Sequence, residues 1–426
     1  MQSNAYRILL LGSGAREHAL AWKLKQSPRC EQLWIAQGNG GTAELGTNVP
    51  LDQSDFSAIG NFCTDENIDM LVVGPEAPLV DGIIDYFHEH QQLQHMRCIG
   101  PSKTGALLEG SKDFAKQFMH RHGIPTASYL TFTQENAAQG RAYLQKHSLP
   151  VVLKADGLAA GKGVLICQTH EEAIVEFDMM LGGKFGAAGA TIVVEEFLSG
   201  IEFSVFVLTD GGQYVLLPVA KDYKRIGEGD SGLNTGGMGS VSPVPFVDET
   251  MMAKVTARII EPTIQGIQDE EIDYKGFIFF GLINAGGDPY VIEYNCRLGD
   301  PEAEVVLPRL KNDLVGLFEA VHLGTLRDQK IEIDPRWATT VVCASGGYPE
   351  TYVSGFPIQL PAEHDTLVFH AGTKVADGTL VTNGGRVLAV TALGKTLAGA
   401  LAKSNQTAAE IDFQGKYFRK DIGFDL

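Results

Sequence analysis

Three polar residues at alternate positions near residue 295 have the types and spacing needed to bind a metal ion and a phosphoryl group. Glu293, Asn295 and Arg297 follow one another at intervals of two, and residues two apart in a strand face the same side. A carboxylate and an amide oxygen suit Mg²⁺, which usually takes one or two protein ligands and adds phosphate and water. Arg297 beside the metal would hold a transferring phosphoryl group or a substrate carboxylate.

The alternative is an edge strand with a solvated polar face. Against it, the apolar residues Val291, Ile292 and Tyr294 bracket the polar ones, and a Gly-Asp-Pro turn containing Asp300 follows directly. This arrangement favours site residues.

A second set of candidates surrounds a glycine-rich loop. Residues 151–164 begin as an apolar strand that carries Lys154 and continue through Gly157 and Gly161 to Gly163. A P-loop would need a hydroxyl residue in the position of Gly163 to hold Mg²⁺. The pattern instead predicts a lid that closes over a nucleotide and excludes water while Lys154 contacts its phosphates.

Lys112 is a candidate for a second phosphate lysine, since it opens a helix directly after Ser111. Taken singly, Lys112 and Lys154 are each typical of solvated surface residues. Taken together with the glycine loop, they favour nucleotide binding.

The first glycine-rich loop follows the first strand. Residues 12–17 (GSGARE) open a helix, and a helix N-terminus after a strand is a common phosphate site. A dinucleotide fingerprint would have Gly or Ala in the position of Glu17 and an acid after the second strand, so NAD binding is disfavoured. Arg16 can pair with a phosphate, and Glu76, at the same sheet edge, with ribose hydroxyls. The alternative is a tight turn with a surface arginine.

Composition excludes several classes of function. The 426 residues include 34 Lys+Arg and 52 Asp+Glu, a net charge of −18, whereas non-specific binding to nucleic acid or an anionic membrane needs the opposite balance. The 49 glycines exceed the roughly 30 that average usage gives. The six cysteines are dispersed without a CxxC pair, which disfavours a zinc site and fits a reducing cytosol. The N-terminal apolar run is too short for a signal peptide or a membrane span.

The predicted elements indicate about three closely packed domains. Strands at 7–11, 33–36, 70–73 and 98–99 alternate with helices at 17–25 and 80–90, which predicts a parallel sheet covered by helices on both faces. A helix at 112–121, hairpin-like segments and two strands at 276–283 and 290–294 follow. A β-rich tail comes after residue 335.

The chain resembles the ATP-grasp ligases, and within them the phosphoribosylamine–glycine ligase family. Ala15 stands where that family more often has glycine. The matching stretches are 12–19 (GSGAREHA), 74–79 (GPEAPL), 111–116 (SKDFAK), 153–164 (LKADGLAAGKGV), 195–202 (EEFLSGIE), 222–225 (DYKR), 234–239 (NTGGMG), 297–305 (RLGDPEAEV) and 418–423 (FRKDIG).

The resemblance implies a mixed α/β and α+β multidomain fold. A doubly wound parallel-sheet domain at 1–102 would bind phosphoribosylamine, and an ATP-grasp domain at 103–328 would carry a lid at about 124–195. A small β-rich domain would occupy 329–426.

The resemblance also implies roles for individual residues. Lys112 and Lys154 would contact the ATP phosphates, and Glu293 and Asn295 would hold Mg²⁺ or Mn²⁺. Glu195, Phe197 and Leu198 would line the adenine pocket, largely through backbone groups, Glu202 would bind the ATP ribose, and Glu196 would also belong to the ATP site. Phosphoribosylamine would be bound by Gly12, Ser13, Gly14, Arg16, Glu17, Gly74, Pro75 and Glu76. Glycine and the reacting phosphoryl group would be surrounded by Asp222, Lys224, Arg225, Asn234, Gly236, Gly237, Gly239, Arg297 and Asp300.

The implied reaction joins glycine to phosphoribosylamine with ATP, through glycyl phosphate, in purine biosynthesis. Two alternatives are an ATP-grasp ligase for a different purine intermediate and a catalytically silent ATP-sensing module. His18 is a possible general base but is more typical of a packing or capping histidine. We expect a cytoplasmic monomer with small-molecule substrates, no nucleic-acid or membrane partner, and possible transient contact with other purine-pathway enzymes.

Overall fold

The computed structural model of the protein describes residues 5–158 and 163–426. Its N-terminal part is a parallel sheet in the order β3-β2-β1-β4-β5, so the predicted alternation of strands and helices is confirmed. The strands are β1 (Tyr6–Gly12), β2 (Cys30–Gln37), β3 (Thr47–Val49), β4 (Met70–Val73) and β5 (Arg97–Pro101), and the helices are α1 (Ala15–Lys25), α2 (Phe56–Asp65), α3 (Glu76–Asp81) and α4 (Ile83–Glu89).

This region differs from the sequence prediction in two ways. The single helix expected at 80–90 is two helices, because Gly82 adopts a left-handed conformation (φ of +96°) that ends α3 and that residues with a Cβ avoid. Helix α2 was missed because it contains weak helix formers such as Gly60. It is stabilised instead by the Asp55 cap, which accepts from the Ala58 N–H at 2.9 Å.

The next segment forms a separate antiparallel sheet with its own apolar core. Two helices lead into it, α5 (Lys103–Gly110) and α6 (Lys112–Arg121). Its strands pair in the order β6-β9-β7-β8. They and their helices are β6 (Tyr129–Thr133), α7 (Ala137–Leu144), β7 (Val151–Ala155), β8 (Val164–Cys167), α8 (His170–Met179) and β9 (Thr191–Glu196). We refer to this four-stranded unit as the lid.

A second antiparallel group, β11-β10-β16-β17, continues the N-terminal sheet because β16 also pairs with β5 at Tyr274 and Pro101. The elements after the lid are β10 (Ile201–Thr209), β11 (Tyr214–Leu216), β12 (Lys221–Asp222), β13 (Arg225–Gly227), β14 (Ser231–Asn234), β15 (Gly239–Ser242), α9 (Glu249–Val255), α10 (Glu261–Asp269), β16 (Tyr274–Ala285), β17 (Asp288–Asn295), α11 (Ala303–Arg309) and α12 (Leu314–Leu323).

The C-terminal part is β-rich, as predicted, and shares a sheet with the central part in the order β12-β15-β18-β22-β19. Its elements are β18 (Trp337–Ala344), β19 (Leu367–His370), β20 (Thr373–Ala376), β21 (Thr379–Thr382), β22 (Arg386–Gly394) and α13 (Leu397–Glu410). Short 3₁₀ or π turns complete the fold at Thr42–Glu44, Gln134–Asn136, Met180–Lys184, Gly186–Ala190, Thr256–Ile260 and Leu326–Asp328. Within the described ranges, no helix is long and apolar enough to cross a bilayer.

Candidate active site

The predicted metal-binding pair lies at the end of β17. Glu293 faces Gly281 on β16, and a register shift beside this pair leaves Ile292 as the extra residue of a bulge. Glu293 and Asn295 follow the bulge two residues apart. Arg297 lies beyond the end of the strand, but its Nη2 donates to Asn295 Oδ1 at 3.2 Å. The structure therefore places Glu293 and Asn295 as their spacing predicted, and it brings Arg297 to Asn295 although the strand ends before Arg297.

The donor set fits a hard divalent cation. Within the described part of the chain, the Glu293 carboxylate has no hydrogen-bond or ion-pair partner, and the buried Asn295 Nδ2 is also unpartnered. One carboxylate and one amide oxygen are the ligand types that Mg²⁺ and Mn²⁺ prefer.

Arg297 is fixed by two carboxylates from different elements. Its Nη2 lies 2.7 Å from Glu109 Oε1, at the end of α5, and its Nε lies 3.0 Å from Glu76 Oε2, at the start of α3. Burial alone would raise the pKa of Glu76, but Arg297 and Arg16 lower it to about 2. Burial raises the pKa of Glu109 in spite of Arg297. The guanidinium is thus held in one orientation, with its planar fork shared between two acids.

Lys154 forms an ion pair with a buried carboxylate. On the face shared by β7 and β9, its Nζ is 2.9 Å from Glu195 Oε1 and donates to the Ile292 carbonyl at 3.2 Å. Lys116 binds the other oxygen of Glu195 at 3.0 Å, and both lysines are buried. The Glu195 side chain, in the segment expected at the adenine, is therefore a counter-ion of Lys154.

Lys112 stands at the first turn of α6, close to the lid. Its Nζ donates to the Gly157 carbonyl at 3.3 Å, and burial lowers its pKa although Glu293 and Asp156 oppose this effect. Asp156 accepts from the Asp113 N–H at 2.7 Å and from the Ser111 hydroxyl, so it fixes the start of the helix. Residues 159–162, which include Gly161 of the second loop, lie outside the described residues.

The predicted adenine segment connects the lid to β10. Glu196 Oε1 accepts from the Ser128 N–H at 2.8 Å, Phe197 is 40% exposed, and Leu198 is half-buried beside it. An exposed aromatic ring at this connection is available to a flat ligand.

Lys224 lies between two acids that were also predicted for the site. Its Nζ is 2.7 Å from Glu202 Oε2 and 3.2 Å from Asp222 Oδ1. Burial alone would lower the pKa of Lys224, but Asp222 and Glu202 raise it well above its ordinary value. Lys224 in turn lowers the pKa of Glu202.

The first glycine loop is packed around the side chain of Glu17. Its carboxylate accepts from the Gly14 N–H at 2.7 Å and pairs with Arg16 Nε at 2.5 Å. A Cβ at Gly12 would lie 2.2 Å from Glu17 Cγ, and one at Gly74 would lie 2.4 Å from Glu17 Oε1. Both glycines are thus needed to accommodate Glu17.

Arg16 is buried and is not the surface arginine of the alternative interpretation. Its Nη1 donates to the Leu298 carbonyl at 3.3 Å. Pro75, which precedes α3, follows Gly74 at the same sheet edge. The hydrogen bond from Arg16 to Leu298 therefore connects the first glycine loop to the segment that contains Arg297.

A cavity of about 600 Å³ separates the first loop from the C-terminal part. The N-terminal part supplies Ser13, Gly14 and the segment after β2, and Asp300 lies on its wall. The remaining walls come mainly from the C-terminal part, in particular Tyr348, Thr373, Lys374, Asn383 and Arg386.

The loop between β14 and β15 contacts the C-terminal wall of this cavity. Arg386 Nη1 donates to the Gly236 carbonyl at 2.7 Å and lies 2.9 Å from Asp300 Oδ1, while Tyr348 accepts from the Gly236 N–H at 3.0 Å. Gly237 has a φ of +116°, and a Cβ there would lie 2.3 Å from Pro301. The loop starts at the exposed Asn234 and ends at Gly239, the first residue of β15.

Sequence reasoning missed Glu109, Lys116 and the cavity residues Lys374 and Arg386. Lys116 lay inside a matched motif but was given no role, and Glu109 lies two residues before that motif. Gly372 near Lys374 and the pair Gly384-Gly385 before Arg386 were the available signal, since glycines mark close approaches of the backbone.

Three domain models of one family match consecutive parts of the chain: the N domain at residues 6–109, the ATP-grasp (A) domain at 110–303 and the C domain at 338–425. The chain belongs to the phosphoribosylglycinamide synthetase family. Members of this family are ATP-grasp ligases that use ATP with divalent metal ions, and the predicted fold class is confirmed.

The relatives extend over the whole chain. Phosphoribosylamine–glycine ligases from Ralstonia nicotianae and Escherichia coli O157:H7 are each 46% identical, covering 98% of this chain and 98% of the relative. A trifunctional purine biosynthetic protein, adenosine-3, from Gallus gallus is 45% identical over 99% of this chain but 42% of its own length.

Solved structures agree with this family assignment. A phosphoribosylamine–glycine ligase from Thermotoga maritima superposes with a TM-score of 0.82 at 37% identity, covering 97% of this chain and 99% of the other. A biotin carboxylase domain from Hydrogenobacter thermophilus has a TM-score of 0.72 at 16% identity over 98% of this chain and 93% of the other, which shows a shared fold only. Membership of the synthetase family disfavours the alternative of a ligase for another purine intermediate.

Proposed function

We propose that this chain ligates glycine to 5-phosphoribosylamine with ATP, giving glycinamide ribonucleotide, ADP and phosphate through glycyl phosphate. One observation carries the proposal: the Gly-Asp-Pro turn joins a phosphoryl-type site at Glu293, Asn295 and Arg297 to the 600 Å³ cavity. Asp300 lies on the cavity wall three residues after Arg297, so two substrates would meet at this turn.

The chemistry of the first step requires concentrated positive charge. A carboxylate is a poor electrophile, so glycine must accept the γ-phosphoryl group before an amine can attack. Lys154 and Arg297, each already positioned by carboxylates, would neutralise the charge on the transferring group. Lys112 would bind the same phosphate chain. When bound by Glu293 and Asn295, Mg²⁺ or Mn²⁺ would neutralise further phosphate charge.

Phosphoribosylamine would occupy the cavity. Lys374 and Arg386 supply cations for its phosphate on the C-terminal wall, opposite Ser13 and Gly14. Arg16 and Glu17 would fix the shape of the first loop. Gly12, Gly74 and Pro75 would place that loop beside the sugar, and Glu76 would also hold Arg297.

Glycine would bind between the cavity and the phosphate chain. We assign Asp222, Lys224 and Arg225 to its surroundings, with the 234–239 loop above it. The sugar amine is nucleophilic when neutral and needs no covalent enzyme intermediate. His18 fits a packing role, because its buried Nδ1 accepts from the His370 N–H at 2.8 Å.

At the level of the cell, we propose a cytoplasmic monomer that uses Mg²⁺ or Mn²⁺. The fusion in the Gallus gallus relative, named as a trifunctional purine biosynthetic protein, supports transient contact with other enzymes of purine synthesis.

The decisive experiment measures ADP release from ATP with glycine and phosphoribosylamine, the latter formed in the assay from ribose 5-phosphate and ammonia. We expect release to require both substrates and to match the glycinamide ribonucleotide formed. Alanine in place of glycine is the control for the amino acid. Release that is independent of glycine, or supported equally by alanine, would overturn the assignment.

A further inference from the structure

The 418–423 motif near the C-terminus lies far along the sequence from the other site motifs, yet it contacts the hairpin formed by β13 and β14. We propose that Arg419 is a positioning residue that, with Tyr417 and Asp421, orients this hairpin over the glycine end of the active site. The inference rests on the proposed function only for the identity of the ligand, since the contacts themselves are independent of it.

Arg419 is fully buried although it carries a charge. Its Nη1 donates to the Arg225 carbonyl at 3.0 Å and to Asp230 Oδ1 at 2.8 Å. Its Nε and Nη2 each donate to the Asp421 carboxylate at 2.8 Å. All three nitrogens of the guanidinium therefore have acceptors, and two of the bonds reach the hairpin.

Neighbouring residues of the same segment hold the rest of the hairpin. Asp421 Oδ2 accepts from the Gly229 N–H at 2.7 Å, and the Tyr417 hydroxyl donates to the Ile226 carbonyl at 2.8 Å. Gly229 lies at the hairpin tip and has a φ of +63°. One short C-terminal segment thus contacts both the tip and the first strand of the hairpin.

The other end of the hairpin enters the active site. The Lys224 carbonyl accepts from both the N–H and the hydroxyl of Thr235, at 2.8 and 2.7 Å, which closes the base. Lys224 is the cation held between Asp222 and Glu202, and Thr235 lies in the loop that Arg386 contacts through Gly236. Tilting the tip would therefore displace residues on both sides of the base.

The rings of Tyr223 and Phe424 lie 5.5 and 5.9 Å from the Arg419 guanidinium. If Arg419 only packed against these rings, an apolar side chain would do so with a smaller free-energy penalty, because burying a charge carries a desolvation penalty. A guanidinium adds direction, since two of its hydrogen bonds each fix one acceptor on the hairpin. This difference separates a positioning residue from a packing residue.

The test compares Tyr417→Phe and Arg419→Lys with Arg336→Lys as the matched control. Arg336 pairs with Asp334 two residues away, as Arg419 does with Asp421, but it is exposed and makes no hairpin contact. Tyr417 is 37% exposed, so loss of its hydroxyl leaves the core intact even if Arg419→Lys unfolds.

We expect Arg419→Lys to raise the KM for glycine about tenfold, in line with loss of a charged hydrogen bond, while the KM for ATP stays within about twofold. Tyr417→Phe should show a smaller rise, and both variants should speed hydrogen exchange at residues 225–234. The control Arg336→Lys should change neither the KM for glycine nor the hydrogen exchange at residues 225–234.

Unchanged exchange in the hairpin of a folded Tyr417→Phe protein would overturn the inference. So would equal rises in the KM for ATP and glycine, which would indicate a general loss of stability. If the wild type does not use glycine at all, the proposed function fails, whereas the exchange measurement still decides the positioning role.

Discussion

Lys154 on β7 and Glu195 on β9 lie diagonally across the two paired strands, with 2.9 Å between Nζ and Oε1. Glu195 also binds Lys116, so one carboxylate serves two buried lysines. Of the two lysines, only Lys154 also donates to the Ile292 carbonyl, which lies beside the proposed metal-binding pair Glu293 and Asn295. Lys116 instead donates to Thr126 Oγ1 at 2.8 Å, at the base of the lid.

This difference predicts opposite outcomes for the two lysines. Lys154→Met should lower kcat/KM for ATP about a hundredfold, because it removes the cation proposed to neutralise the transferring phosphoryl group. Lys116→Met should lower the melting temperature and leave kcat/KM for ATP within about threefold, since Lys154 remains paired. Steady-state kinetics beside thermal melts would check this, and equal kinetic losses in the two variants would contradict it.

The metal assignment predicts a shifted requirement for divalent ion. Glu293→Ala should raise the Mg²⁺ concentration for half-maximal activity at least as much as the roughly 10–100-fold typical of losing an outer-shell partner. Asp288→Asn is the control, because Asp288 is on the same strand but pairs at the surface with Lys254 and Arg258. Turnover of Glu293→Ala near the wild-type rate at ordinary Mg²⁺ would show that the assignment is wrong.

Arg297 should not be replaceable by lysine. Its separate ion pairs with Glu76 and Glu109 suit a planar fork, and a point charge cannot maintain both. Arg297→Lys should reduce kcat about a hundredfold with a smaller change in the KM for ATP, as measured in single-turnover and steady-state assays. Glu109→Gln should reproduce part of this loss by loosening Arg297. A kcat close to that of the wild type would exclude Arg297 from phosphoryl transfer.

The histidine pair at the interface of α1 and β19 predicts weaker folding in acid. Burial lowers the pKa of His18 to about 3 and that of His370 to about 4, from an ordinary value near 6.5. Below about pH 6.5 the unfolded chain binds protons that the folded chain does not. The free energy of unfolding should therefore decrease as the pH is lowered from about 6.5 to about 4.

His18→Asn provides the test. The Oδ1 of the introduced asparagine can replace His18 Nδ1 as the acceptor for the backbone N–H of His370. An asparagine side chain does not titrate. The difference in unfolding free energy between pH 8 and pH 5, measured by urea denaturation, should shrink in this variant. His120→Asn, at an exposed position of α6, should leave the difference unchanged. An unaltered difference in His18→Asn would assign the acid sensitivity to other groups.

The sequence was sufficient to predict features that depend on residues close together along the chain. Period-two spacing placed Glu293 and Asn295 on one face because that periodicity is a property of any strand. The partners of Arg297 could not be found in this way, because Glu76 and Glu109 come from separate helices that only the tertiary fold brings together.

The role of Glu17 shows a second limit of sequence reasoning. A polar residue in a phosphate-type loop indicates a ligand contact, yet this side chain fills the space above Gly12 and Gly74. Which way a side chain turns depends on the packing around it, and residue type alone does not determine that choice. The same applies to Arg386, which reaches the site from a strand remote in sequence.

The sheet shared by β12, β15, β18, β22 and β19 has a consequence for cutting the chain. Strand β15 pairs with β18 from Gly239 opposite Val341 to Ser242 opposite Ala338. A fragment that begins after residue 335 would expose the backbone N–H and C=O groups of β18 along that edge, and such edges recruit strands from other molecules. The C-terminal third should therefore self-associate when expressed alone, and supplying the central segment in trans should restore a soluble complex.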